Sequence, residues 1–291
     1  MRKVLIAVSA LAVLVALVAA TTATGASRSA AAIPGCATGS LNLLTAGTLT
    51  VGTDNPAFPP WWGGSEKKST GFKISNPYSG KGYESAVAYE VAKRLGFAHR
   101  AVKWISRLYT KAYAPGKKQF DFYLAQVSYK PVRAKAVAFS TSYYDVNQAV
   151  VGLKGKPIAK VKTIAGLKPF TLGVPIGTTS YDYVVNTIKP SSKPHVFDTL
   201  NDAVTALKNG QIDGLVADFP STGYITGVQV PNGVVVGRLP TVGKPEHFGL
   251  VLAKGNPLVS CVNKALAAMR VDGTLKRLEN TWLAGDAPLL K

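Results

Sequence analysis

Acids are scarce in this sequence: 15 Asp and Glu stand against 34 Lys and Arg in 291 residues, a formal net charge of +19. Histidine is scarcer, with only His99, His195 and His247, far apart and without metal-ligand spacing to another His or Cys. A histidine-built metal centre is therefore not expected. No GxSxG, HExxH or GxxxxGK[ST] pattern occurs, and the glycines of GLKPFTLGVPIG (166–177) do not form a dinucleotide fingerprint. Common hydrolase, metalloprotease and nucleotide-binding chemistries thus lose their usual signatures, and no cofactor is expected. The basic excess is scattered in pairs, such as Lys67-Lys68 and Lys117-Lys118, rather than massed on one amphipathic segment. It reads as a solvated surface, and no nucleic-acid partner is expected.

Long apolar runs are confined to the first residues, MRKVLIAVSALAVLVALVAA, where a basic start precedes an uncharged stretch and small residues (TTATGASRSAAA) follow. That order is the pattern of an export signal, and residues 1–35 are assigned to a signal peptide with a cleaved or disordered tail. A membrane anchor is the alternative, because the run approaches the length that spans a bilayer. Export places the protein in the periplasm or on the outer face of the cell membrane or cell wall. Without Arg2, Lys3 and Arg28 the chain keeps 31 basic and 15 acidic residues, a net charge of +16. Cysteine is limited to Cys36 and Cys261. An even count in an oxidising compartment suggests one disulfide. The alternative is that IPGC (33–36) is a lipobox with Cys36 lipidated, although Cys36 lies far from the apolar run and Cys261 would then be unpaired.

Short apolar runs alternate with helical patterns, the signature of βα alternation. TLTVGT (48–53), AVKWIS (101–106), FDFYLAQV (120–127), TLGVPI (171–176), DGLVAD (213–218) and FGLVLAK (248–254) read as strands. GYESAVAYEVAKRLG (82–96) reads as a helix, with Val87, Val91 and Leu95 recurring every fourth residue and Gly96 as the stop. TLNDAVTALKNG (199–210) has a capping threonine and an Asn-Gly end, and PLVSCVNKALAAMRVDG (257–273) is a long terminal helix. Between residues 54 and 82 lies a Pro- and Gly-rich loop that carries Phe58, Trp61, Trp62 and Tyr78. Loops that expose aromatics often bind ligands.

In such folds ligands collect beyond the carboxyl ends of strands, where helix N-termini present free N–H groups. Four of these ends carry polar residues: Asp54, Ser128 with Arg133, the run Gly177-Thr178-Thr179-Ser180, and Asp218. A guanidinium suits a carboxylate and a carboxylate suits an ammonium, so the set fits a zwitterion.

Taken in order, GTLTVGTDNPAFPPWW, GYESAVAYEVAKRLGF, FDFYLAQVSYKPVRAKAVAFSTSYYD, LGVPIGTTSYDYV, DAVTALKNGQIDGLVADFP and FGLVLAKGNPLVSCVNKALAAMRVDGTLKRLENTWL resemble the family-3 extracellular solute-binding proteins of bacterial ABC importers. The resemblance runs from about residue 47 to 285. It implies an α/β fold of the type II periplasmic-binding kind: two lobes, residues 47–145 plus 247–291 and residues 146–246, joined by two hinge crossovers. It also implies capture of an amino acid between the lobes and delivery to a membrane permease of the importer, by a protein expected to be a monomer. By position it assigns Arg133 and Ser128 to the ligand carboxylate, Thr178 and Thr179 to the same group, and Asp218 to the ammonium. Asp54 falls near the ligand side chain or amine, and Phe58 and Tyr83 fall where aromatics stack on the ligand. Gln126 replaces a common glycine and is a candidate specificity residue, while Lys130, Val132 and Ala86 also depart from the family pattern. The alternative is an enzyme on the same scaffold, such as a prephenate or arogenate dehydratase. A sensor or lytic-enzyme domain is disfavoured because no further domain follows.

Overall fold

The computed structural model describes residues 33–283 and 285–291, so the expected signal segment falls outside it except for its last three positions. From the N-terminus, β1 (Leu49–Thr53), β2 (Val102–Ser106), β3 (Phe122–Tyr123) and β4 (Val137–Phe139) build a first sheet. The chain then crosses through β5 (Tyr144–Val146) into β6 (Gln148–Leu153), β7 (Leu172–Pro175), β8 (His195–Phe197), β9 (Gly214–Asp218) and β10 (Gly233–Arg238). It returns through β11 (Glu246–Phe248) to β12 (Val251–Ala253). The first sheet has the order β2-β1-β3-β12-β4 and the second β10-β6-β9-β7-β8. Strands β5 and β11 form a separate two-stranded sheet, antiparallel, in the register Val146 to Glu246, Asp145 to His247 and Tyr144 to Phe248.

Each sheet is covered by helices: α1 (Tyr83–Arg94), α2 (Tyr109–Ala112) and α3 (Pro131–Ala134) precede the first crossover. Helices α4 (Thr179–Tyr183), α5 (Leu200–Lys208) and α6 (Phe219–Tyr224) belong to the second sheet, and α7 (Leu258–Val271) and α8 (Thr274–Trp282) follow the return. Strand β1 pairs in parallel with β2 and β3 and is buried along its whole length, as expected of a strand covered on both faces. Helix α1 buries Tyr83, Val87 and Val91. Gly82 precedes it at φ +88°, where a Cβ would lie 2.5 Å from the Trp62 backbone, so only glycine lets the helix start abut the tryptophan loop. At α5 the Thr199 hydroxyl accepts the Asp202 N–H at 3.1 Å, satisfying a free donor of the first turn.

Several expectations change. The strand foreseen over 120–127 shortens to Phe122–Tyr123, because the chain turns at Gln126 with φ +54°. Residues 287–291, expected with the first lobe, lie instead against the second. Arg238 donates its N–H to the Pro288 carbonyl at 2.7 Å, the Leu290 N–H returns to the Arg238 carbonyl at 2.9 Å, and the Leu290 side chain is buried in the second core. Cys36 and Cys261 form a disulfide with an S–S distance of 2.05 Å, which joins the N-terminal segment to α7 and leaves no thiol for a lipid. Among the described residues no helix is long and apolar enough to cross a membrane.

Candidate ligand-binding cleft

The carboxyl ends of the central strands face one another across a cavity of ≈ 170 Å³. The first lobe contributes Tyr109, Gln126 and Ser128, and the second contributes Thr178, Thr179 and Asp218. A narrower hollow of ≈ 50 Å³, lined by Asp54, Phe58, Trp61 and Tyr224, adjoins it through Ala125, Gln126 and Leu200. The lobes touch around both spaces. Trp61 donates its indole N–H to Ser221 Oγ at 2.8 Å, Phe58 meets Tyr224 with ring centres 6.0 Å apart, and Lys130 pairs with Asp182 at 2.5 Å.

Gln126 sits in a left-handed conformation that a non-glycine residue adopts only when other contacts hold it there. Those contacts come from Glu84, in the first turn of α1. One carboxylate oxygen accepts the Gln126 backbone N–H at 2.7 Å and also the Tyr143 hydroxyl, and the other accepts the Gln126 side-chain amide. Full burial pushes the Glu84 carboxyl up to about 7, while the hydrogen bonds from Tyr143 and Gln126 restrain the shift.

Arg133 is 5% exposed and does not line the cavity. One guanidinium nitrogen donates to the Ser128 carbonyl at 2.6 Å; the other donates to the Gly177 carbonyl of the second lobe at 2.7 Å and to Tyr109 Oη at 3.2 Å. Its centre also lies 4.4 Å from the Tyr113 ring centroid. The fork thus braces two segments of the cavity wall from behind. Thr178 lines the cavity, but its hydroxyl caps α4, accepting the Tyr181 N–H at 3.2 Å and donating to the Pro175 carbonyl. Tyr83 is a correction to the sequence reading: it is 1% exposed, lines neither space, and donates its hydroxyl to the Tyr143 carbonyl at 2.6 Å while packing on Trp61. Its ring faces the core because α1 starts directly beneath the tryptophan loop.

Asp218 ends β9 at the cavity wall, where Gln148 donates its amide to Oδ1 at 2.7 Å. Burial, and then the nearby Glu246 charge, pushes its carboxyl up to about 8. Asp54, at the narrower hollow, is also raised by burial, against backbone N–H groups of Asn55 and Tyr109 that favour its charged form. Glu84, Gln148, Tyr109 and Glu246 were not foreseen. The only signal for Glu84 and Glu246 was scarcity, since acids are few in so basic a chain, and Gln148 and Tyr109 gave none.

The site is therefore a two-sided recess in which hydroxyls and acids of opposite lobes converge. Residues 49–285 match the model of the bacterial extracellular solute-binding proteins, family 3. The chain is 29% identical over 170 residues to ABC transporter arginine-binding protein 1 of Escherichia coli (strain K12), covering 57% of this chain and 67% of that protein. It is 28% identical over 244 residues to the L-cystine-binding protein TcyJ of the same strain, covering 82% and 84%. A solved ancestral arginine-binding protein bound to arginine superposes with a TM-score of 0.65 at 29% identity, covering 82% of this chain and 99% of that one. These relatives are binding proteins, which favours capture over the dehydratase alternative. By the extent of that match and the two-lobed architecture, the chain belongs to family 3 of the bacterial extracellular solute-binding proteins.

Proposed function

We propose that the protein captures an amino acid between its lobes on the outer side of the cell membrane and presents it, as a monomer, to the permease of an ABC importer. The observation that carries this reading is the placement of Ser128 and Thr179, hydroxyls of opposite lobes, 3.4 Å apart beside Asp218. A zwitterion inserted there meets hydroxyl donors at one end and a carboxylate at the other. Asp218 takes the ammonium, and its charged form is restored when that cation arrives. Ser128 and Thr179 take the carboxylate. Arg133 adds positive charge behind them and direct contact only if its fork leaves the Gly177 carbonyl. Asp54, Phe58 and Gln126 bound the side-chain end, where Gln126 and Asp54 select for polar or cationic groups. Arginine and cystine, named for the relatives, are the first ligands to try.

A thermal-shift screen of the twenty amino acids and cystine tests the reading, because a ligand that binds only the folded state raises its melting temperature. One ligand or a small group of related ligands should stabilise the protein in a concentration-dependent way. No shift with any of them, at millimolar concentration, would refute amino-acid capture.

A further inference from the structure

Glu246 stands at the start of β11, the returning crossover, and turns its carboxylate toward the hinge end of the cleft. Its Oε1 accepts the Ser128 hydroxyl of the first lobe and the Thr179 hydroxyl of the second, each at 2.6 Å. Its Oε2 accepts the Gln148 amide at 3.0 Å. Three donors on two oxygens is how a protein holds a bound carboxylate, and charge-assisted bonds of this kind are stronger than neutral ones. The Gln148 amide is divided, since it also donates to Asp218, so two carboxylates compete for one N–H group. Behind the hinge lies a separate hollow of ≈ 70 Å³, lined by Glu246, Gln148, Tyr183 and Lys244. It offers the side chain a second position, with a cation nearby.

We propose that Glu246 is an internal latch, a carboxylate of the chain that holds the hydroxyls of both lobes and that a ligand carboxylate must displace toward the rear hollow. This inference rests on the amino-acid reading above. Three consequences follow from it. The latched form is closed without ligand. Ligand affinity is reduced by the fraction of molecules that are latched. A cation lacking a carboxylate gains nothing by displacing the latch, so the device selects for ligands that carry one.

Calorimetric titration of wild type, Glu246→Ala and Glu246→Gln with the best ligand of the screen, together with small-angle scattering without ligand, tests the latch. If about nine molecules in ten are latched, Glu246→Ala should bind roughly tenfold more tightly. Its radius of gyration without ligand should exceed that of wild type. Glu246→Gln, which keeps the length and one acceptor oxygen but not the charge, should fall between the two and serves if the alanine variant folds poorly. Unchanged or weaker binding by both variants would overturn the proposal, making Glu246 a bystander or a direct ligand contact. Should wild type and variants bind no amino acid, the capture reading fails separately. The scattering then decides the latch, and an unchanged radius rejects it.

Discussion

At Asp218 the folded chain binds a proton more readily than the unfolded one, because packing strips water from the carboxyl and Glu246 adds like charge. From the ordinary value of 3.8 up to about 8, the folded state therefore holds more protons, and stability falls as pH rises through that window. Glu84, pushed up to about 7, contributes in the same direction over a window that ends lower. Asp218→Asn should remove most of the upper part of the decline, so urea denaturation without ligand should find the variant gaining on wild type as pH approaches the top of the window. A difference that is constant across the window would assign the titration elsewhere. Arg133 raises a different expectation from the one the resemblance implied, which was a simple clamp on the ligand carboxylate. It is buried and supports two carbonyls, so Arg133→Ala should lower stability by ~2–4 kcal/mol in addition to any loss of binding. Denaturation of the variant with wild-type stability but no ligand affinity would restore the simple clamp.

The elements most legible in the sequence are those whose own residues specify them. Helix α1 has its apolar repeat, α5 has Thr199 and Asp202 at its start, and β1 has Leu49 and Val51 among small residues that fit between covered faces. The turn at Gln126 was not legible, because it depends on Glu84, 42 residues earlier, to supply acceptors for an otherwise unfavourable backbone. The strand ends that carry Ser128, Thr179 and Asp218 could be read from βα alternation, and the structure does bring them together. Glu246 could not, since its role comes from a two-stranded crossover whose register only the folded chain reveals. Helix α7 adds one more case. Its apolar repeat was plain, and its bond from Cys261 to Cys36 now closes a loop of 225 residues. Replacing both cysteines by serine should cost ~2–5 kcal/mol, because the open chain has more conformational freedom to lose on folding. Equal midpoints in urea for the variant and for the oxidised wild type would show that the link adds nothing to stability.

On the scale of the molecule, closure is maintained by contacts that belong to neither lobe alone: Lys130 with Asp182, Trp61 with Ser221 and Phe58 with Tyr224. Trp61 is 2% exposed between the aromatic core of one lobe and α6 of the other, so opening should wet its indole. In Glu246→Ala, freed of the latch, a ligand that stabilises closure should therefore shift tryptophan emission to the blue. The shift should be much smaller when Trp61→Phe is added to that variant, and an equal shift in both would mean that closure is sensed elsewhere. The segment that folds back along β10 sets a further limit on this motion. Leu283 belongs to the first core, while the Ala287 carbonyl is held by Arg238 of the second lobe at 2.9 Å. Four peptide steps separate them, a leash of at most ~14 Å when fully stretched. Rotation about the hinge is thus checked by a tether of fixed length, and a wider gape requires the Ala287 and Pro288 carbonyls to leave Arg238 before Leu290 peels from its pocket. Leu290→Asp should weaken this whole anchor and let the tether lengthen, giving a larger radius of gyration without ligand while leaving the ligand-bound radius unchanged. The open molecule would then be bounded by a mechanical stop, which keeps each lobe within reach of its partner after every release.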